Sequence, residues 1–295
     1  MGKHLRIWLF VLLGTLLTSS SLLAQGIITM TTSKAVGEPI ELRIEENGNF
    51  TIEGALETSR EADSLGRKSY RLKSRTITIR GDVTELDCSS NGLTSLDVSK
   101  NTALTKLICY ENELTSLDIS KNTTLTELDC YINHLTGLDL SKNTVLEYLD
   151  CSINHLTSLD VSKNTALTKL DCSYNQLTSL DVSKNTVLTK LDCYYNQLTS
   201  LDVSKNTHLT KLGCNNNKLT SLNISGCASL RVLYCYSNSI KSKAMTRLVN
   251  SLPNRRKQRS GIIVLVDRSS KKRDKNRYSA ADATTARRKN WEIQK

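Results

Sequence analysis

Proline, glycine and aromatic rings are scarce in this chain: 2 Pro, 13 Gly, 2 Trp and 2 Phe in 295 residues, with aromatics at 5%. Long apolar runs are absent too. The longest, Ile7 to Leu17, holds about eleven residues, well short of the roughly 20 that cross a bilayer as a helix. No membrane span is therefore expected, and the processed chain is expected to be soluble. No cysteine stands near Ala24 to carry a lipid anchor, and no apolar tail precedes Lys295. The length leaves room for one large domain or two.

What is present begins with an export signal. Lys3, His4 and Arg6 precede the apolar stretch, and Leu22, Leu23 and Ala24 lead to a small-residue exit, the order of a secretory signal peptide. Residues 1–24 are expected to be removed after Ala24. Nine cysteines in an exported protein would ordinarily suggest a disulfide framework. Their spacing argues otherwise. Cys88, Cys109, Cys130, Cys151, Cys172, Cys193, Cys214 and Cys235 stand 21 residues apart, a regularity that stacking requires and pairing does not.

The same period organises residues 83–240 into seven coils and a partial eighth, typified by LTKLICYENELTSLDISKNTT from Leu104. Apolar residues alternate around Leu107 and Cys109 and again around Leu117 and Ile119, so two short strands per coil are expected. A single coil buries too few apolar side chains to offset the entropy of ordering it. Coils must therefore stack and share their faces, which is the logic of a solenoid. The cysteines alternate inward with the leucines and read as a reduced structural ladder of buried thiols, with no disulfide. Asn91 and its equivalents through Asn238 sit where the chain turns inward, and their amides can pair with backbone groups left open there. A second column, Asn101 to Asn206, ends where the same position becomes Cys227.

A 21-residue coil with a leucine-to-cysteine change in its first strand resembles the internalin J class of bacterial leucine-rich-repeat proteins. It is similar, too, to repeats rich in LTSLDVSKNTAL on exported proteins of Bacteroidetes-type bacteria. The likeness is close over residues 83–240. It implies a leucine-rich-repeat solenoid on a surface or secreted protein used in adhesion, without catalytic residues and without a cofactor.

The flanks read as caps. Residues 25–82 are rich in strand segments (ITMTT, IELRIE, NFTIEGA, YRLKSRTITIRG) that run directly into the first coil, and a solenoid needs such a cover for its open end. Residues 241–295 break the period. They read as a helix from Ser242 with Met245, Leu248, Val249 and Leu252 on one face, a strand GIIVLVD, a helix opened by a Ser279/Asp282 capping box, and a closing segment with Trp291 and Ile293. The expected fold is thus a β-rich solenoid with a β N-terminal cap and a basic α/β C-terminal cap.

Three sets of residues are candidates for function. The first is the outward side of the first strands. Tyr110, Tyr131, Tyr148, Tyr174, Tyr194, Tyr195, Tyr234 and Tyr236 gather there with Lys106, Lys169, Lys190 and Lys211, and tyrosine is enriched in protein contact surfaces. It is also a good strand residue. The second is charge: residues 241–295 carry net +13 against −2 for the rest. Arg255, Arg256, Lys257 and Arg259, with Lys271, Lys272 and Arg273, would form an anion-binding surface for lipopolysaccharide or an acidic glycan. The alternative is a pair of solvated loops. Without interleaved aromatics, the run does not read as a nucleic-acid site. The third comprises two aspartate columns (Asp129 to Asp192, Asp97 to Asp202) and the pair His134 and His155. Calcium would need clustered acids on a Gly-bearing turn and zinc three or four ligands, so no metal is expected.

A non-enzymatic binding protein acting through the tyrosine side is therefore the leading reading, with the anion-binding cap as the alternative. A polysaccharide-active enzyme on a β-helix would need one irregular coil bearing an acid cluster. The near-identity of the coils argues against it.

Overall fold

The computed structural model describes residues 26–59, 61–266 and 274–294. The expected signal peptide lies outside them.

The N-terminal region is built from antiparallel strands because its apolar residues alternate. They are β1 (Ile27–Thr32), β2 (Pro39–Glu46), β3 (Thr51–Glu53), β4 (Ala55–Glu57), β5 (Lys68–Leu72) and β6 (Thr76–Arg80). In β1, Ile28 and Met30 are wholly buried while their neighbours are half exposed. The first coil supplies β7 (Val83–Asp87) and β8 (Leu93–Asp97). Strand β2 pairs antiparallel with β7, aligning Ile44 with Leu86, and β1 pairs antiparallel with β8, aligning Met30 with Leu96. Both sides of the first coil are thus covered, and the amide edges a solenoid would otherwise expose are occupied.

From there the first strands stack in parallel: β9 (Lys106–Ile108), β10 (Glu127–Asp129), β11 (Tyr148–Asp150), β12 (Lys169–Asp171) and β13 (Lys190–Asp192). After β14 (Ser200–Asp202) come β15 (Lys211–Gly213), β16 (Ser221–Asn223) and β17 (Val232–Tyr234). Register follows the repeat without a slip: Leu107, Leu128, Leu149, Leu170, Leu191, Leu212 and Leu233 lie side by side.

The C-terminal region continues the stack. Helix α1 (Ser242–Ser251) buries Met245, Leu248 and Val249, and β18 (Gly261–Val264) adds in parallel to β17. Helix α2 (Ala280–Arg288) opens on a reciprocal capping box: Asp282 N donates to Ser279 Oγ at 3.1 Å, and Ser279 N donates to Asp282 Oδ2 at 2.8 Å. Strand β19 (Trp291–Gln294) closes the sheet beside β18. A side chain at Gly261 would collide with the Trp291 ring, its Cβ coming within 2.7 Å. Among the described residues the long sheet has thirteen strands, ending at β19 on one edge and β4 on the other.

The second half of each coil is less regular than its alternation suggests. Residues such as 116–119 and 158–161 join no strand ladder. Among the described residues, second-side strands pair only at the two ends: β8 with β1, and β14 with β16, on which α1 packs. Between those ends, side-chain amides link the coils instead. Asn143 Nδ2 donates to Ile119 O at 3.0 Å and to Asn122 O at 2.9 Å, and the pattern recurs coil by coil.

Candidate contact face

The core sets the face. Every ladder cysteine is 0% exposed, and the leucines beside them are equally buried, so strand alternation sends the flanking residues outward. All nine cysteines are free. Burial pushes the ladder thiols above their ordinary range, Cys235 to about 12, which removes the thiolate that metal binding or disulfide exchange would need. Cys227 replaces an asparagine functionally as well as in position. Its Sγ donates to Val203 O at 3.2 Å, the same carbonyl position that Asn206 Nδ2 reaches at Val182.

After each ladder cysteine the chain turns on a residue in the left-handed region. Ser90, Glu111, Ile132, Ile153, Tyr174, Tyr195, Asn216 and Ser237 all have φ between 50° and 57°. For a β-branched or bulky residue this conformation costs about 1–2 kcal/mol. The next asparagine holds it. Asn154 Nδ2 donates to Cys130 O (3.0 Å), Cys151 O (3.2 Å) and Ser152 O (3.1 Å), while its Oδ1 accepts from Leu135 N at 2.9 Å. The turn could not be read residue by residue because its occupants share no chemical type. Its only trace is the constant position before the asparagine.

On this frame the tyrosines meet in two groups. Tyr110 and Tyr131 stack with centroids 4.7 Å apart. Tyr174 and Tyr195 stack at 4.4 Å, and Tyr194 meets Tyr174 edge-on at 5.4 Å. Tyr174 and Tyr195 are 45% and 46% exposed, the most open aromatics among the described residues, because they sit on the left-handed turn rather than in the strand. Tyr148 is half-buried beneath Lys169, whose Nζ lies 5.9 Å from the ring centroid. Tyr234 and Tyr236 are half-buried on the coil that borders the C-terminal region. Lys106 pairs with Glu127 at 2.9 Å and Lys211 with Asp192 at 2.7 Å, while Lys190 is exposed.

The first aspartate column runs through this face. Asp129, Asp150, Asp171 and Asp192 are aligned on successive strands and half-buried. Gly213 ends it: a Cβ there would fall 2.3 Å from Asp192 Oδ1, so the carboxylate leans into the vacant space beside Lys211. His134 and His155 stack with centroids 5.6 Å apart. Among the described residues no group of three or more His, Cys, Asp or Glu side chains is placed to hold a metal ion.

The basic cap is only partly a surface. Arg255 is 3% exposed and spends its guanidinium on backbone carbonyls, Leu230 O at 3.1 Å and Arg259 O at 3.0 and 3.1 Å. It locks the loop after α1 onto the last coil, so it is corrected from an anion-binding candidate to a structural residue. Arg256, Lys257 and Arg259 are exposed, although Arg256 Nε also donates to Arg288 O at 2.6 Å. Lys271, Lys272 and Arg273 lie outside the described residues.

Residues 165–206 match the family model for leucine-rich repeats in two copies. With the in-register stack of 21-residue coils, this decides the fold. It is a leucine-rich-repeat solenoid. The solenoid is similar to the functional domain of InlJ from Listeria monocytogenes, described as including a cysteine ladder, at 33% identity over 67% of this chain and 52% of that one, with a TM-score of 0.44. A leucine-rich-repeat protein of Leptospira interrogans is 26% identical over 52% of this chain and 43% of that one, TM-score 0.50. Internalin F of Listeria monocytogenes shares the fold at 18% identity over 70% and 57% of the two chains, TM-score 0.52. The chain thus spans about half of each solved structure. No curated protein matches it.

Proposed function

We propose that this solenoid is an exported, non-enzymatic protein that binds a protein partner through its first-strand face, in cell-surface adhesion or host interaction. In this reading residues 1–24 are the export signal, 25–82 and 241–295 are caps, and 83–240 carry the contact face. The observation that carries it is the aromatic cluster of Tyr174, Tyr194 and Tyr195. Rings stacked at 4.4 Å and nearly half exposed present rigid area at low entropic cost. The repeat fold supports it as well, since leucine-rich repeats serve as protein-interaction domains. The coils differ from one another mainly at these outward positions.

Replacing Tyr131, Tyr194 and Tyr195 together with Ser tests the reading. With the circular dichroism spectrum unchanged, retention of the purified protein on intact cells should fall at least about tenfold, the loss of one or two aromatic hot spots. Undiminished retention would eliminate the face as the contact. The exposed Arg256, Lys257 and Arg259 favour a second reading, attraction to anionic glycan or lipopolysaccharide through the cap. Such binding would disappear as salt is raised, whereas tyrosine-mediated contact would persist.

A further inference from the structure

The contact face contains three carboxylates without a counter-charge. Asp129, Asp150 and Asp171 occupy equivalent positions on β10, β11 and β12, so each stands one strand spacing, about 4.8 Å, from the next. The cations nearby are engaged elsewhere or directed outward. Lys106 pairs with Glu127, Lys169 lies over Tyr148, Lys211 pairs with Asp192, and Lys190 is exposed. The other groups around the column are Asp87 and Glu127, which add negative charge, the Tyr148 phenol, and the Ser152 and Ser173 hydroxyls. Each hydroxyl donates to its own aspartate, at 2.6 and 2.5 Å. Like charges at this spacing, partly withdrawn from water, cannot all stay ionised cheaply. Burial first, and the neighbouring carboxylates after it, push Asp129 up to about 7 and Asp171 up to about 6, and Asp150 moves in the same direction.

We propose that Asp129, Asp150 and Asp171 form a proton-gated stripe on the contact face, so that mild acid discharges the stripe and makes the face easier to bury. Ionised, the carboxylates only accept hydrogen bonds and resist desolvation. Protonated, they donate as well, and the face carries only its lysine charge. Docking of a partner without cations over the stripe then takes up protons and strengthens as pH falls through the range from about 7.5 to about 5.5. This last step rests on the contact-face reading; the titration itself does not.

The test uses the full chain alone. NMR of the aspartate carboxyl carbons between about pH 4 and about pH 8 should show coupled transitions, with at least one of the three midpoints above about 5.5. In the Asp150→Asn variant, Asp129 and Asp171 should move back toward the ordinary carboxylate range, while the Asp129→Asn/Asp171→Asn double variant removes both raised groups. Midpoints near 4 for all three would overturn the proposal. Thermal melting supplies the second readout. The melting temperature should rise as pH falls from about 8 to about 5.5, flatten in the Asn double variant, and keep its slope in His134→Gln/His155→Gln. A slope abolished by the histidine changes instead would also overturn it. Because no partner is present, failure here is separate from failure of the tyrosine variants.

Discussion

In most coils the two sides carry the same residue types, one aspartate and one asparagine each per 21 residues, and the fold puts them to opposite use. On the first-strand side the aspartates are half-buried and aligned on neighbouring strands, and burial pushes Asp129 up to about 7 and Asp171 up to about 6. On the second side Asp118, Asp139, Asp160 and Asp181 are exposed. Each accepts from the backbone N of the serine two residues on, and that bond, with the following lysine, holds the carboxyl below its usual range. The asparagines divide in the same way. Asn154 uses both ends of its amide, whereas Asn164 donates twice through Nδ2 and leaves a buried Oδ1 without a partner among the described residues. Identical spacing thus fixes which side chains line up. Whether the line is solvated, paired or buried is set by the strands around it.

The largest expected effect breaks the asparagine comparison. Asn154→Ala strands the Leu135 N–H and takes one of two donors from Cys130 O, Cys151 O and Ser152 O, and should cost about 2–4 kcal/mol, while Asn164→Ala removes an orphaned oxygen together with two bonds to carbonyls that keep backbone donors and should cost about 1–2 kcal/mol. Urea denaturation of both variants measures the difference, and equal losses would mean that the two columns are mechanically equivalent.

The aspartate comparison comes next. A folded midpoint raised above the ordinary 3.8 means that between those values the folded chain holds more protons than the unfolded one, so stability rises as pH falls through the folded midpoint and levels off near the unfolded one. Asp150→Asn keeps an acceptor for Ser152 and should stabilise the protein at about pH 8, with the gain shrinking as pH falls and vanishing only near about pH 4. Asp160→Asn, which neutralises a carboxyl held below its usual range, should lower the urea midpoint slightly and by the same amount at about pH 8 and about pH 5. A gain for Asp150→Asn that did not depend on pH would point to packing instead of charge.

The smallest effect concerns the turn that only the first side has. Ile153 is 43% exposed with φ 52°, so Ile153→Asn should raise stability by about 1 kcal/mol, since asparagine tolerates the left-handed region. A loss would show that the isoleucine side chain contributes more than its backbone costs.

Much of this was legible in the chain itself. The leucine and cysteine columns, the parallel stack, Cys227 as an asparagine stand-in and the Ser279 cap all follow from spacing, because a solenoid converts sequence period directly into contact. Three things did not follow. The left-handed turn is occupied by serine, glutamate, isoleucine, tyrosine and asparagine, so no residue type marks it. The second strands align by pattern but pair only where β1 or α1 presses on them. Arg255 reads as one charge in a basic run until the fold brings Leu230 O and Arg259 O around its guanidinium.

By itself, then, the sequence determined the architecture: a 21-residue apolar period admits a stacked coil, and stacking aligns every equivalent residue. Only the tertiary structure decided the environment of each aligned column. Burial, counter-charge and the neighbouring strand are properties of a place between coils, and residues far apart along the chain create that place together.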